Sequence, residues 1–100
     1  MSIQLNDEAI GKMSEVGIPD YMQGGLIRYF NERIPTGDFL RAVLENDLMA
    51  AFMFADQTNK HSMHHYVMWL YNYAPGRASG IWGSPEAVSN WLNGSDTDED

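Results

Sequence analysis

Helix stops recur along this chain at such short intervals that no helical segment can run for more than a few turns. Gly17-Ile18-Pro19, Ile34-Pro35-Thr36-Gly37, Asn46-Asp47, Asp56-Gln57-Thr58-Asn59, Ala74-Pro75-Gly76 and Gly83-Ser84-Pro85 each combine a residue that leaves the helical conformation with one that starts or caps the next segment. Between the stops, apolar residues return every three or four positions, the period of one helix face. A short helix is marginal alone and must take its stability from packing. The expected fold is therefore all-α: a compact orthogonal bundle of about five short helices forming one domain over residues 1–94, with 95–100 as a disordered acidic tail. No internal repeat or linker divides it.

The first helix is expected from Asn6 to about Val16, capped by Asn6 or Asp7. Gly17 is placed for a left-handed C-terminal residue and Ile18 for folding back onto the last turn. Pro19 then suits the first position of a second helix, with Met22, Leu26, Tyr29, Phe30 and Arg33 at the helical period. Gly24-Gly25 inside it costs about 1 kcal/mol per glycine, which close approach of a neighbouring helix would explain. A third helix starts near Asp38, capped by Thr36 or Asp38, with Phe39, Leu40, Val43 and Leu44 inward. Asn46-Asp47 implies a kink or a fresh start. After it, Leu48, Ala51, Phe52 and Ala55 make a stripe. Met49, Met53 and Phe54 fall off that stripe, so the segment is either buried on two sides or exposes an apolar patch. The helix from about Lys60 to Tyr73 is the most apolar and is expected at the centre, on a face of Met63, Tyr66, Val67, Leu70 and Ala74. Ser84-Pro85-Glu86 starts a last helix carrying Val88, Trp91 and Leu92.

Composition enters where function is concerned. The chain has no cysteine, so a small disulfide-stapled secreted domain is excluded. Its opening residues have neither a basic nor an apolar leader region, and no apolar run reaches the roughly 20 residues that span a bilayer. A bacterial or viral cytoplasm is the expected compartment. Fourteen acids against six Lys and Arg give a formal charge of −8; without the four acids among the last five residues the balance is ten against six, or −4. Such a field repels phosphate backbones, since DNA affinity comes from Lys and Arg displacing counterions. Direct nucleic-acid and membrane binding are thus disfavoured, while a basic protein surface would attract the chain.

Nothing in the sequence assembles a catalytic centre. His61 and His65 share a helix face, but the spacing lacks the glutamate of the H-E-x-x-H motif and names no third ligand, so an exposed or boundary pair is the plainer explanation. The serines form no nucleophile elbow and the glycines no phosphate-binding loop. Trp69 and Trp91 fall in apolar stripes and read as core. Trp82 either plugs its loop onto the core or presents an anchor. The expectation is a protein that is no enzyme, needs no cofactor and binds a macromolecular partner.

Two blocks carry a resemblance. The first is Arg28-Tyr29-Phe30, Arg33-Ile34-Pro35, Gly37 and Phe39 to Leu48. The second is Trp69-Leu70-Tyr71-Asn72-Tyr73-Ala74-Pro75, then Trp82-Gly83-Ser84-Pro85 and Trp91. In this order, from roughly Ile18 to Trp91, they resemble a widespread family of small phage and prophage proteins that includes an anti-CRISPR inhibitor of the type I-F surveillance complex. The loop between Pro75 and Trp82 is longer here, with Arg77-Ala78-Ser79 and Ile81 interposed.

The resemblance implies a monomeric inhibitor that binds host surveillance-complex protein subunits and blocks target-DNA binding. Candidate partner-binding residues are the acids at helix ends or off the apolar stripes, Asp20, Glu32, Glu45, Asp47 and Asp56, with Arg77 and Trp82 in the longer loop. Each acid has a plainer explanation as a cap or a solvated face. The alternative is a phage accessory protein that modulates another host enzyme or regulator, as an oligomer joined through Met49, Met53 and Phe54.

Overall fold

A computed structural model of the protein describes residues 4–94, and the acidic tail lies outside the described residues. The described chain is all-helical and follows the punctuation of the sequence. Helix α1 (Asp7–Val16) is capped by Asn6, whose Oδ1 accepts the Ala9 N–H at 2.9 Å. It ends at Gly17 with φ 102°, where the Ile18 N–H returns to the Met13 carbonyl and Ile18 is buried. The left-handed residue, the reversed bond and the apolar clasp together make the expected C-terminal stop. Helix α2 (Asp20–Glu32) follows, with Pro19 at its N-cap instead of its first turn, and ends at Arg33 in the left-handed conformation.

Helix α3 (Asp38–Leu44) starts from Gly37, which offers no capping side chain; the Thr36 hydroxyl bonds the Gly37 carbonyl instead. Asn46, at φ 63°, then breaks the chain as expected, and Asp47 caps α4 (Leu48–Phe54) through the Ala50 N–H at 3.1 Å. Asp56 caps α5 (Gln57–His61). The single helix expected from Lys60 to Tyr73 is divided, since Ser62 separates α5 from α6 (Met63–Asn72). A 3-10 turn (Arg77–Ser79) leads to α7 (Pro85–Leu92), capped by Ser84 with proline in its first turn. Seven α-helices among the described residues thus replace the expected five, the two extra breaks falling at Asn46-Asp47 and at Ser62.

The core is aromatic. Trp69, Tyr29, Tyr66 and Phe30 are its largest fully buried side chains. Phe30 meets Tyr29 and Trp69 edge to face, and Phe39 meets Tyr66 in the same manner. Each polar tip finds a partner. The Trp69 indole donates to the Ala9 carbonyl at 2.8 Å, Trp91 to Tyr29 at 2.7 Å, and the Tyr29 hydroxyl to Ile81 at 2.5 Å. These bonds tie α6 to α1, α7 to α2, and the late loop to α2. Both core tyrosines are pushed well above the ordinary phenol range by burial, so they act as neutral donors.

One glycine of the Gly24-Gly25 pair answers the expectation of close approach. A Cβ on Gly25 would lie 3.1 Å from Leu40 of α3, whereas Gly24 faces only its own helix's Arg28. Gly17 is more constrained. A Cβ there would meet the His65 ring at 2.7 Å, on a backbone already at φ 102°. Gly17→Ala is expected to cost on the order of 2 kcal/mol from the left-handed backbone and the forced ring shift. A fall in urea midpoint with unchanged slope would confirm it, and wild-type stability would refute it.

Candidate protein-docking surface

Helix α4 exposes what a core helix would hide. Its sequence, LMAAFMF, contains no polar residue, and only Ala51 is buried. Leu48 is 64% exposed, Met49 80%, Phe52 44%, Met53 78% and Phe54 51%. The expected inward stripe holds for Ala51, which is buried, and Ala55, which packs against the core, and is corrected for Leu48 and Phe52, which face out. Of the two outcomes open for Met49, Met53 and Phe54, the structure gives the exposed patch. On the expected face of α6 only Val67 is corrected. The buried face of the helix is Tyr66, Trp69 and Leu70, while Val67, Met68 and Tyr71 are exposed. Exposed apolar side chains in this number make α4 and α6 the candidate interaction surface.

The two exposed faces are joined by a groove. One cleft is lined by Ala42, Val43, Asn46, Leu48, Met63 and Val67, with Asp47 at its rim. A second, of about 170 Å³, shares Val43, Asn46 and Val67 and runs on to Leu70, Tyr71 and Trp82. The left-handed Asn46 lies where the two meet. Trp82 does both things expected of it. It is half-buried, its indole donating to the Pro75 carbonyl, and one side of it forms the groove wall.

The candidate residues divide by place. Asp47 and Trp82 lie on the groove, towards opposite ends of it. Asp56 follows the exposed α4 directly. Its carboxylate accepts the Asn59 N–H at 2.7 Å and the Tyr21 hydroxyl at 2.7 Å, which links it to the start of α2 and so to Asp20, exposed in that first turn. Glu45 is half-buried and bonds Arg41 at 2.8 Å, a structural pair one turn apart. Glu32 is exposed at the far end of α2, next to Arg33, whose guanidinium stacks 4.0 Å over Trp91; it lines neither cleft. Arg77 opens the 3-10 turn, and its side chain lies outside the described residues. The structure thus brings Asp47 and Trp82 to the groove, leaves Asp56 at the other end of α4 as the cap of α5, and does not bring Glu32 to it.

The Tyr21 hydroxyl bond, then the Asn59 N–H, hold the Asp56 carboxyl below its ordinary value, and the same bond raises Tyr21. A lowered carboxyl stabilises the fold fully above the ordinary carboxylate range, and that stabilisation is lost as pH falls through the folded-state value. Tyr21→Phe is expected to move the Asp56 titration back up towards the model-peptide value, read by carboxyl NMR. An unmoved titration would show that the phenol bond does not form in solution.

The histidines build no ligand set. His61 Nδ1 lies 2.8 Å from the Gln57 carbonyl, and the His64 and His65 ring centroids lie 3.9 Å apart with the planes tilted by 52°, His65 Nδ1 being buried against the end of α1. Among the described residues no group of three or more His, Asp or Glu side chains is placed to hold a metal ion, and no helix is long and apolar enough to cross a membrane. Searches against protein-family models, curated proteins and solved structures returned no match to this chain.

Proposed function

We propose that the protein is an anti-CRISPR inhibitor of phage origin that binds protein subunits of the type I-F crRNA-guided surveillance complex in the host cytoplasm and blocks target-DNA binding. The observation that carries the docking part of this reading is α4, a helix with five large apolar side chains in solvent beside an open groove. A domain that spends so much apolar area on its outside gains it back only by covering that area with a partner. The likeness of the two sequence blocks to small phage proteins supports the choice of target. So does the acidic balance: a complex that guides DNA along lysine-rich channels attracts carboxylates, while the DNA itself repels them.

The test is a gel shift of target DNA by purified type I-F complex, with and without pre-incubated protein. Loss of the shifted band, with the protein co-eluting on the complex, is the expected result. An unchanged band without co-elution would reject the target.

The exposure of Met49, Met53 and Phe54 also favours a second reading, an accessory protein that modulates a different host enzyme or regulator as an oligomer built through that patch. Light scattering separates them. A concentration-independent monomer mass supports the inhibitor, and a stable dimer supports the alternative.

A further inference from the structure

We infer that the groove between the α3–α4 turn and α6 takes a basic amphipathic helix from a partner protein, its apolar face on Val43, Val67 and the exposed α4 residues and its lysines or arginines beside Asp47 and Asp56. The inference rests on the docking reading above for the location of the surface, and adds what occupies it.

Three observations select this occupant. The first is the backbone. The surface is made of helices, whose N–H and C=O groups are bonded within the helix, so it offers no open strand edge for an extended peptide. Recognition must run through side chains, as when an amphipathic helix lays its face into a groove with anchors three and four residues apart. The second is the lining. The larger cleft, about 170 Å³ between Val43, Val67, Leu70 and Trp82, exceeds the roughly 150 Å³ that accommodates a benzene ring. Met63 lines the adjoining cleft, and Met49 and Met53 on α4 and Met68 on α6 are exposed, unbranched, polarisable side chains of the kind that repack around varied apolar anchors.

The third is charge. From Ala42 to Asn59 the chain has no Lys, Arg or His, and its acids are Glu45, Asp47 and Asp56. Glu45 is neutralised by Arg41, whereas Asp47 and Asp56, exposed at the two ends of α4, accept from neutral donors only: the Ala50 N–H, and the Asn59 N–H with the Tyr21 hydroxyl. An apolar face bracketed by carboxylates complements an apolar face bracketed by cations. A second copy would bring the same carboxylates and only six Lys and Arg against fourteen acids, in a chain of net charge −8. Anionic lipid and nucleic acid meet the same repulsion.

The experiment uses the full chain with methyl-labelled methionine, titrated with a synthetic Leu/Lys amphipathic helical peptide and with its Leu/Glu counterpart. The Leu/Lys peptide is expected to shift the Met49, Met53 and Met63 methyl signals saturably and leave the core methyl of Met13 in place; the Leu/Glu peptide is expected to do neither. Asp47→Asn with Asp56→Asn keeps a capping oxygen at both helix starts while removing both charges. It is expected to weaken the Leu/Lys peptide about five-fold and flatten its salt dependence. Equal response to both peptides, no response to either, or the same methyl shifts on concentrating the protein alone would each overturn the inference. Peptide binding without inhibition of the surveillance complex would reject the proposed target and leave this inference standing. Inhibition without peptide binding would do the reverse.

Discussion

Trp69→Ala is expected to cost about 4 kcal/mol, within the range for truncating a fully buried aromatic, and to leave little margin in a domain of ordinary stability. Trp69 is completely buried, packs edge to face on Phe30 and donates its indole N–H to Ala9 of α1. It therefore holds α6 against both α1 and α2. Removing it opens a cavity between three helices, each too short to persist without packing. Trp69→Phe keeps most of the apolar volume but loses the indole donor, and is expected to cost about 2 kcal/mol. Urea unfolding of the two variants checks the order. An alanine variant as stable as the phenylalanine one would show that the region relaxes around the gap, contrary to the packing described.

The second large effect falls on binding and leaves the fold alone. Met49→Glu with Met53→Glu places charges on two side chains about four-fifths exposed, neither of which is buried against the core. Thermal stability is expected to stay within about 0.5 kcal/mol of wild type, as for surface changes away from structural features. Affinity for the partner is expected to fall about 100-fold or more, because anchors at the centre of an interface commonly cost about 2 kcal/mol each and a charge buried there without a partner costs further. The split between intact stability and lost affinity identifies a surface residue with a binding role. Parallel loss of both would place these methionines in the core.

The elements were legible from their ends. Asn6, Gly17-Ile18-Pro19, Asn46-Asp47, Asp56 and Ser84-Pro85 each bring a specific backbone requirement, and each starts or stops a helix where it stands in the sequence. The phase of the apolar segments was not legible. Periodicity fixes a face only where polar residues mark the opposite one. LMAAFMF has none, so nothing local distinguishes a helix with Leu48 and Phe52 inward from one with its alanines inward. Packing settles it, since Ala51 and Ala42, both buried, let α4 lie close on α3. Val67 shares the period of Met63 and Leu70, which predicts it inward, and it is exposed. The break at Ser62 escaped because the feature that accompanies it is a contact seven residues long: Tyr66 donates to the buried Asn59 across the junction.

The site was legible in part. Asp47 and Asp56 announced themselves as caps, and the same position at the two ends of α4 sets them around the exposed face. Met49, Met53 and Phe54 were flagged by leaving the stripe, although their neighbours Leu48 and Phe52 join them outside. What the sequence could not supply is the groove. Val43 and Asn46 are far along the chain from Val67 and from Trp82, and only the packing of α6 and the return of the late loop bring them together. That return is fixed by the Gly83 N–H on the Leu44 carbonyl at 2.7 Å and by the Tyr29 bond to Ile81.

The central claim is that this protein acts by docking the exposed face of α4. The most direct measurement is the target-DNA gel shift by type I-F surveillance complex, run side by side with wild-type protein and the Met49→Glu, Met53→Glu variant at equal concentration. Abolition of the shifted band by wild type and its full retention with the equally folded variant is the predicted result. Equal inhibition by both proteins would contradict the claim.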